Sequence, residues 1–334
     1  MSEMISIAVD AMGGDFGPSV VLPGVAAALA EEPQLEVLLC GREDVVVPFA
    51  ENHERCQAIP CTEEIDMGEH PANAVRRKKD SSIVVGCRMV KEGRAQGFFS
   101  AGSTGACLAA GIMVAGRIKG VARPALSTII PSPVKPVVMC DVGANADCKP
   151  EYLVQFAKMA SIYVEQILDR KNPTVALLNI GTEETKGSQF AQECYALMKR
   201  EVPNFQGNCE GSDVAKGTYD VIVTDGFTGN VCIKTVEGLT HVLFDSLKGV
   251  LKANPLTMLS ALAIKGPMKE LKDSISADTY GGAPLLGVRG ACLVGHGSSS
   301  ETAIKNGILT AAKTVRLQVS ELIAQSVAAG TTQE

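Results

Sequence analysis

Tryptophan is absent from the 334 residues, and aromatic side chains make up only 4% of them. So few rings cannot supply the stacking platforms that nucleic-acid binders use, and a net charge of −6 offers no general attraction for a phosphate polymer. Long hydrophobic runs are also missing: none reaches the roughly 18 residues of a membrane span. Met-Ser-Glu-Met passes into a strand-like run at Ile5 without the basic and apolar stretches of a signal peptide, so a cytoplasmic protein is expected. With four histidines, no H-E-x-x-H and no C-x-x-C, neither a metal site nor any other cofactor is expected. The eleven cysteines are scattered through apolar segments, as at Cys40, Cys87, Cys107, Cys140, Cys232 and Cys292, which reads as buried free thiols rather than a disulfide framework. The lack of any Gly-Lys dipeptide excludes a Walker A loop. No G-x-G-x-x-G follows a strand and no G-x-S-x-G elbow occurs, which argues against dinucleotide binding and serine hydrolysis.

Apolar residues make up 46% and charged residues 20%, enough for a substantial core in one large α/β domain or two ordinary ones. One local pattern recurs: a β-branched run, a turn of glycine and small polar residues, then a helical stretch. It appears at Ile5–Val9, Val37–Cys40, Gly97–Phe99, Val137–Cys140, Thr174–Leu178, Val221–Val223 and Cys292–Val294, with helices expected from about Pro18 and Pro150. Continuous apolar strands alternating with helices predict a doubly wound, mostly parallel sheet, and the polar turns at strand ends are where ligands bind in such sheets. We expect a single catalytic domain over 1–334.

The candidate site residues lie in those turns. Ser100, Gly102, Ser103, Thr104 and Gly105 open a helix whose N–H groups favour an anion; the alternative is an ordinary N-cap. Asp225, Thr228, Gly229 and Asn230 follow the same logic, and Asp141 and Asp225 either orient donors or cap turns. Lys186, in a glycine-flanked turn near Glu183 and Glu184, suits a phosphate or is a solvated surface lysine. His296 lies between glycines at a strand end, with Ser298 close behind; the glycines leave its ring unpacked and suited to proton transfer, the alternative being a structural histidine.

Residues 246–275 break the pattern as an amphipathic basic excursion, with Gly266-Pro267 interrupting its second half. Lys248, Lys252 and Lys265 stand beside Leu256, Leu259 and Leu262. Such a surface suits a second subunit, an acidic protein or an anionic membrane.

Taken in order, Asp10-Ala-Met-Gly-Gly-Asp-Phe-Gly-Pro18, Ser100-Ala-Gly-Ser-Thr-Gly-Ala106, Arg123-Pro-Ala-Leu126, Asp141-Val-Gly-Ala-Asn145, Lys149-Pro-Glu-Tyr-Leu153, Asn179-Ile-Gly181 with Lys186-Gly187, Asp225-Gly-Phe-Thr-Gly-Asn230 and His296-Gly-Ser-Ser299 resemble the PlsX-type phosphate acyltransferase family of bacterial phospholipid synthesis. The match runs nearly end to end, with one departure at Ser103, where the family pattern has Asn. The resemblance implies a Rossmann-like sheet of the isocitrate and isopropylmalate dehydrogenase type, a homodimer, and transfer of a fatty acyl group from acyl-carrier protein to inorganic phosphate. It also implies delivery of the acyl phosphate to a membrane acyltransferase, with transient membrane contact. Lys186, the Ser100–Gly105 loop, Thr228–Asn230 and Ser298 are expected to hold phosphate, with Lys186, Asp225 and His296 as the catalytic side chains and His296 serving the thioester. The rivals are a phosphotransacetylase-like enzyme acting on short acyl-CoA and a non-enzymatic sensor of a phosphorylated or acyl ligand.

Overall fold

A computed structural model describes residues 4–274 and 279–331. The first half alternates β1 (Ile5–Asp10), α1 (Pro18–Glu31), β2 (Leu35–Gly41), α2 (Glu43–Ala50), β3 (Cys56–Pro60), α3 (Pro71–Arg77), α4 (Ser82–Lys91), β4 (Gly97–Ser100) and α5 (Thr104–Ala110), which runs on into a π-helical turn, Gly111–Ala115. A hairpin of β5 (Ala125–Ile130) and β6 (Val137–Cys140) leads to α6 (Pro150–Ile167), β7 (Val175–Asn179), α7 (Gln189–Glu201), β8 (Phe205–Glu210) and β9 (Val221–Val223). Two long helices follow, α8 (Gly226–Leu251) and α9 (Pro255–Ser274), and the chain closes with β10 (Ala283–Leu286), β11 (Ala291–Val294), α10 (Glu301–Arg316) and α11 (Val319–Thr331).

The described strands form one sheet in the order β3-β2-β1-β4-β11-β10-β5-β6-β9-β7-β8. β3, β2, β1, β4 and β11 run parallel, as do β6, β9, β7 and β8. Between these sets, β11 to β10, β10 to β5 and β5 to β6 are antiparallel. The sheet is therefore mostly parallel, and three reversals turn its two halves in opposite directions.

Both faces are covered. In the first half α1 and α10 bury Val21, Val25, Ile304 and Ile308 against Ile7, Val9 and Leu39 on one face. On the other, α4 and α5 bury Ile83, Cys87 and Cys107 against Phe98. In the second half α6 lays Leu153, Phe156 and Tyr163 on Val138, Val175 and Val221. Full burial of a side chain such as Phe156 stabilises by roughly 1.5–3 kcal/mol. All eleven cysteines are free thiols, nine of them buried and two, Cys148 and Cys232, half-buried.

The excursion differs from its expected outline. Its first arm is the outer part of α8, continuous from Gly226, and α9 folds back along it. Pro267 removes one N–H from α9 without ending it, so the expected break at Gly266-Pro267 does not occur. Residue 275 and the side chains of Leu256 and Leu259 lie outside the described residues. No helix among the described residues is long and apolar enough to cross a membrane.

Candidate active site

The carboxyl ends of β1, β4 and β11 form one polar group. Asp10, the last residue of β1, is 1% exposed. Its Oδ2 accepts the Ser100 hydroxyl at 2.7 Å and its Oδ1 the Met12 N–H at 3.0 Å. Ser100 Oγ in turn accepts the Gly102 N–H at 2.9 Å, so a buried acid fixes the turn that opens α5. Burial raises the Asp10 carboxyl above its ordinary value, against the hydrogen bonds from Ser82, Ser100 and the Met12 and Gly13 backbone. At Gly13 a Cβ would lie 2.6 Å from both Asp10 Oδ2 and Gly102 N; only glycine lets the two turns close on one another.

Within that turn Ser103 is buried and serves as N-cap of α5, its Oγ accepting the Ala106 N–H at 3.4 Å, while Thr104 is exposed and Gly105 abuts Pro71. His296 stands on the neighbouring loop after β11, with its ring in solvent. The Ser298 N–H donates to His296 Nδ1 at 3.2 Å, and Ser298 Oγ lies 2.8 Å from the same atom. A nitrogen that accepts a backbone N–H cannot carry a proton, so the neutral ring holds its proton on Nε2, facing outwards as a donor.

A second group forms where β6, β9 and β7 end. Asp141 is fully buried and bears no ion pair; Oδ1 accepts the N–H groups of Leu126 (3.0 Å), Gly143 (3.2 Å) and Ala144 (3.1 Å), and Oδ2 those of the Asn145 backbone (2.8 Å) and side chain (2.9 Å). Burial raises this carboxyl too, with those donors opposing the rise. Against the same turn sits the start of α8, so closely that a Cβ on Gly229 would lie 1.9 Å from the Asp141 carbonyl oxygen. Asp225 is the N-cap of α8, and Thr228 takes both its oxygens, through the N–H at 2.8 Å and the hydroxyl at 2.7 Å. Asn230 is exposed on the first turn of the helix, beside Gly143.

Lys186 lies in the next turn along this edge, since β9 pairs with β7. Its side chain is 48% exposed, with the ammonium 3.8 Å from Glu183 Oε1, and its carbonyl accepts the Asn179 side-chain N–H at 3.1 Å. This edge is acidic: burial pushes the Cys148 thiol up to about 11, and Asp141, Asp225 and Asp147 act on it in the same direction.

The structure thus brings Lys186, Asp225, Thr228, Gly229 and Asn230 to one set of strand ends, and Ser100, Gly102, Ser103, Thr104, Gly105, His296 and Ser298 to another. From β4 to β6 is four strand spacings, about 19 Å across the sheet, and the three reversals between them put the two sets at opposite edges of it. The helices that start from the two sets cover one continuous face, where Ala106 and Cys107 of α5 join a core against which Cys232 and Ile233 of α8 also pack. Lys248, Lys252, Leu262 and Lys265 lie far out on the α8–α9 hairpin, all exposed, with Lys248 paired to Asp245 at 2.9 Å. Of the acids that organise the two groups, Asp141 was expected to orient donors or cap a turn, and Asp10 was not among the expected site residues. Their signal was an aspartate closing a strand ahead of small residues and glycine.

The family model described as fatty acid synthesis protein matches residues 5–322. A phosphate acyltransferase of Desulfitobacterium hafniense is 49% identical, covering 93% of this chain and 94% of its own, and one of Dictyoglomus turgidum is 44% identical over 97% and 98%. The chain belongs to the phosphate acyltransferase family. It is an acyltransferase enzyme, and its place is in fatty-acid and phospholipid synthesis. Among solved structures, a phosphotransacetylase from Streptococcus pyogenes superposes with a TM-score of 0.59 at 17% identity, covering 94% of each chain, and a branched-chain phosphotransacylase from Enterococcus faecalis with 0.58 at 15%, covering 93% of this chain and 99% of its own. These likenesses show that this chain shares its fold with those two proteins.

Proposed function

We propose that the protein transfers a fatty acyl group from the thioester of an acyl-carrier protein to inorganic phosphate, releasing an acyl phosphate for phospholipid synthesis. Near-full-length identity with phosphate acyltransferases carries this reading. Phosphate is the nucleophile, so no serine or cysteine nucleophile is needed: a phosphate oxygen bonds to the carbonyl carbon, the carbon–sulfur bond breaks, and the thiolate takes up a proton.

Lys186, the Thr228–Asn230 turn and the first N–H groups of α8 hold the dianion. A 26-residue helix aims its dipole there, and the Asn230 amide is exposed beside it. Lys186 is partly offset by Glu183 at rest, and a bound dianion outbids that single carboxylate for the ammonium. His296 Nε2–H and the N–H groups of the Ser100–Gly105 turn, at the other set of strand ends, are the donors we assign to the carbonyl oxygen as charge develops or to the leaving thiolate. Holding phosphate and thioester in register contributes up to about 7–11 kcal/mol to the lowering of the barrier.

Mass-spectrometric detection of acyl phosphate after mixing the protein with palmitoyl-carrier protein and phosphate tests the reaction; turnover of acetyl-CoA alone would favour a short-chain phosphotransacetylase instead. Lys186→Ala is expected to lower kcat/KM for phosphate by about 10²–10³-fold. An unchanged value removes Lys186 from the site.

A further inference from the structure

We propose that the loops 116–123 and 287–290 form the docking surface for the acidic carrier protein that brings the acyl group, a proposal that rests on the reading of the donor given above. Arg117, Lys119, Arg123 and Arg289 are all exposed on these two loops, and none of the four is in an ion pair among the described residues. In a chain of net charge −6, four unneutralised bases on adjoining loops make a local field opposite in sign to the whole. The acids close in sequence to the loops' contacts are Glu321, next to Ser320, whose hydroxyl donates to the Gly290 carbonyl at 2.9 Å, and Glu151, one turn before Gln155, whose side chain bonds the Ala122 N–H and the Gly120 carbonyl; neither is in an ion pair with the four bases among the described residues.

The patch is pinned rather than loose. Arg117 bridges Val288, the Ile118 N–H donates to Gly287 O at 3.0 Å, and the Arg289 N–H to Gly116 O at 2.9 Å. The Arg117 guanidinium donates to Ala122 O at 2.6 Å, which brings it beside Arg123. A pinned backbone and one held guanidinium lose little freedom when a partner arrives, which favours fast, oriented encounter.

Its position points to the donor. Arg123 is followed by Pro124, whose carbonyl accepts the Asn145 side chain at 2.8 Å, and then by Leu126, whose N–H donates to Asp141 at 3.0 Å. The basic loop therefore runs straight into the turn against which α8 begins. The hairpin lysines stand elsewhere: Lys248 is 22 residues beyond Gly226, about 33 Å along α8. A carrier seated at the hairpin tip would present its thioester far from Lys186, whereas one seated on these loops meets the edge of the site. A membrane is the poorer fit, because surface-binding elements set bases beside exposed apolar side chains, and no large exposed apolar residue occurs on either loop.

Steady-state kinetics of the full-length enzyme with Lys119→Glu, Arg123→Glu and Arg289→Glu combined tests the surface. The expected result is a KM for the acyl-carrier protein raised about tenfold at low salt, a gap that narrows as salt is added, and an unchanged KM for phosphate. Lys252→Glu with Lys265→Glu is expected to leave the carrier KM alone. Should the triple variant fold poorly, Lys119→Gln with Arg289→Gln is expected to give a smaller rise with the same salt dependence. An unchanged carrier KM in the loop variants overturns the proposal, as does a parallel rise in KM for phosphate. Loss of binding to anionic lipid vesicles with carrier KM intact also overturns it, and marks the patch as a membrane contact. If the parent enzyme makes no acyl phosphate from the carrier at all, the function reading falls and takes this one with it; normal turnover with unmoved KM values sinks the docking surface alone.

Discussion

Asp10 and Asp141 are acids without bases, and each is held by N–H and O–H donors inside the fold. For Asp141 the folded carboxyl binds its proton more tightly than the ordinary value of 3.8. Its contribution to stability is therefore full below that value and diminishes as pH rises through the higher folded one. Asp141→Asn turns an amide NH2 towards donors in a nest that accepts five N–H groups, at a cost of roughly 1–3 kcal/mol. Urea unfolding of the variant and parent at several pH values is expected to show that cost largest near the acid end and shrinking towards neutrality. A cost that grows with pH would show that the acid is stabilised as the anion. The sequence reading allowed that strand-end aspartates orient donors or cap turns, and Asp225 turns out to be a cap. What it did not yield is which aspartate is buried, because burial comes from β4, β9 and α8 arriving from distant segments to cover strand ends that look alike in the chain.

Among the elements, the strands that lead into a glycine turn and then a helix were legible almost to the residue, as Val137–Cys140 and Val221–Val223 show. β3, β5, β8 and β10 were not read. β5 and β10 join by antiparallel pairing and lack the crossover helix that marks a parallel unit, while β3 and β8 are the sheet's two edge strands, at least half of whose residues are not buried, so their apolar runs are broken. At the far end of the second half, Asp220 ties three elements together. It takes the Lys135 ammonium at 2.6 Å, the Arg170 guanidinium at 3.1 Å and the Thr174 N–H and hydroxyl at 3.0 and 2.7 Å. Burial alone would raise its carboxyl, but Lys135 and Thr174 hold it down to about 2. The stability it supplies is complete above pH 3.8 and disappears as pH falls towards 2. Discounted for the partial exposure of Lys135 and Arg170, Asp220→Asn is expected to cost about 1–2 kcal/mol at neutral pH, and the cost should vanish in acid. Denaturant midpoints of variant and parent at pH 7 and at pH 2 measure the difference.

The molecule as a whole carries more uncovered apolar surface than a solitary chain needs. Leu239, Val242, Leu243, Leu247 and Val250 run exposed along the outer part of α8, a helix about 39 Å long. A twofold pairing of two hairpins would cover this stripe, and the homodimer implied by the family resemblance is our proposal for it. Sedimentation equilibrium is expected to find a dimer that Val242→Glu with Leu243→Glu converts to a monomer. A parent that stays monomeric at high concentration would leave the stripe to another partner. A practical consequence follows from the thiols packed through the core. Nine are buried, Cys148 is pushed up to about 11, and burial raises Cys232 as well. At neutral pH the native chain offers a maleimide almost nothing to react with, so one cysteine introduced at an exposed position such as Lys265 becomes an address for a single fluorophore. Two such labels, one on the hairpin and one on a carrier protein, would report by energy transfer where the carrier sits, with the eleven native cysteines left in place.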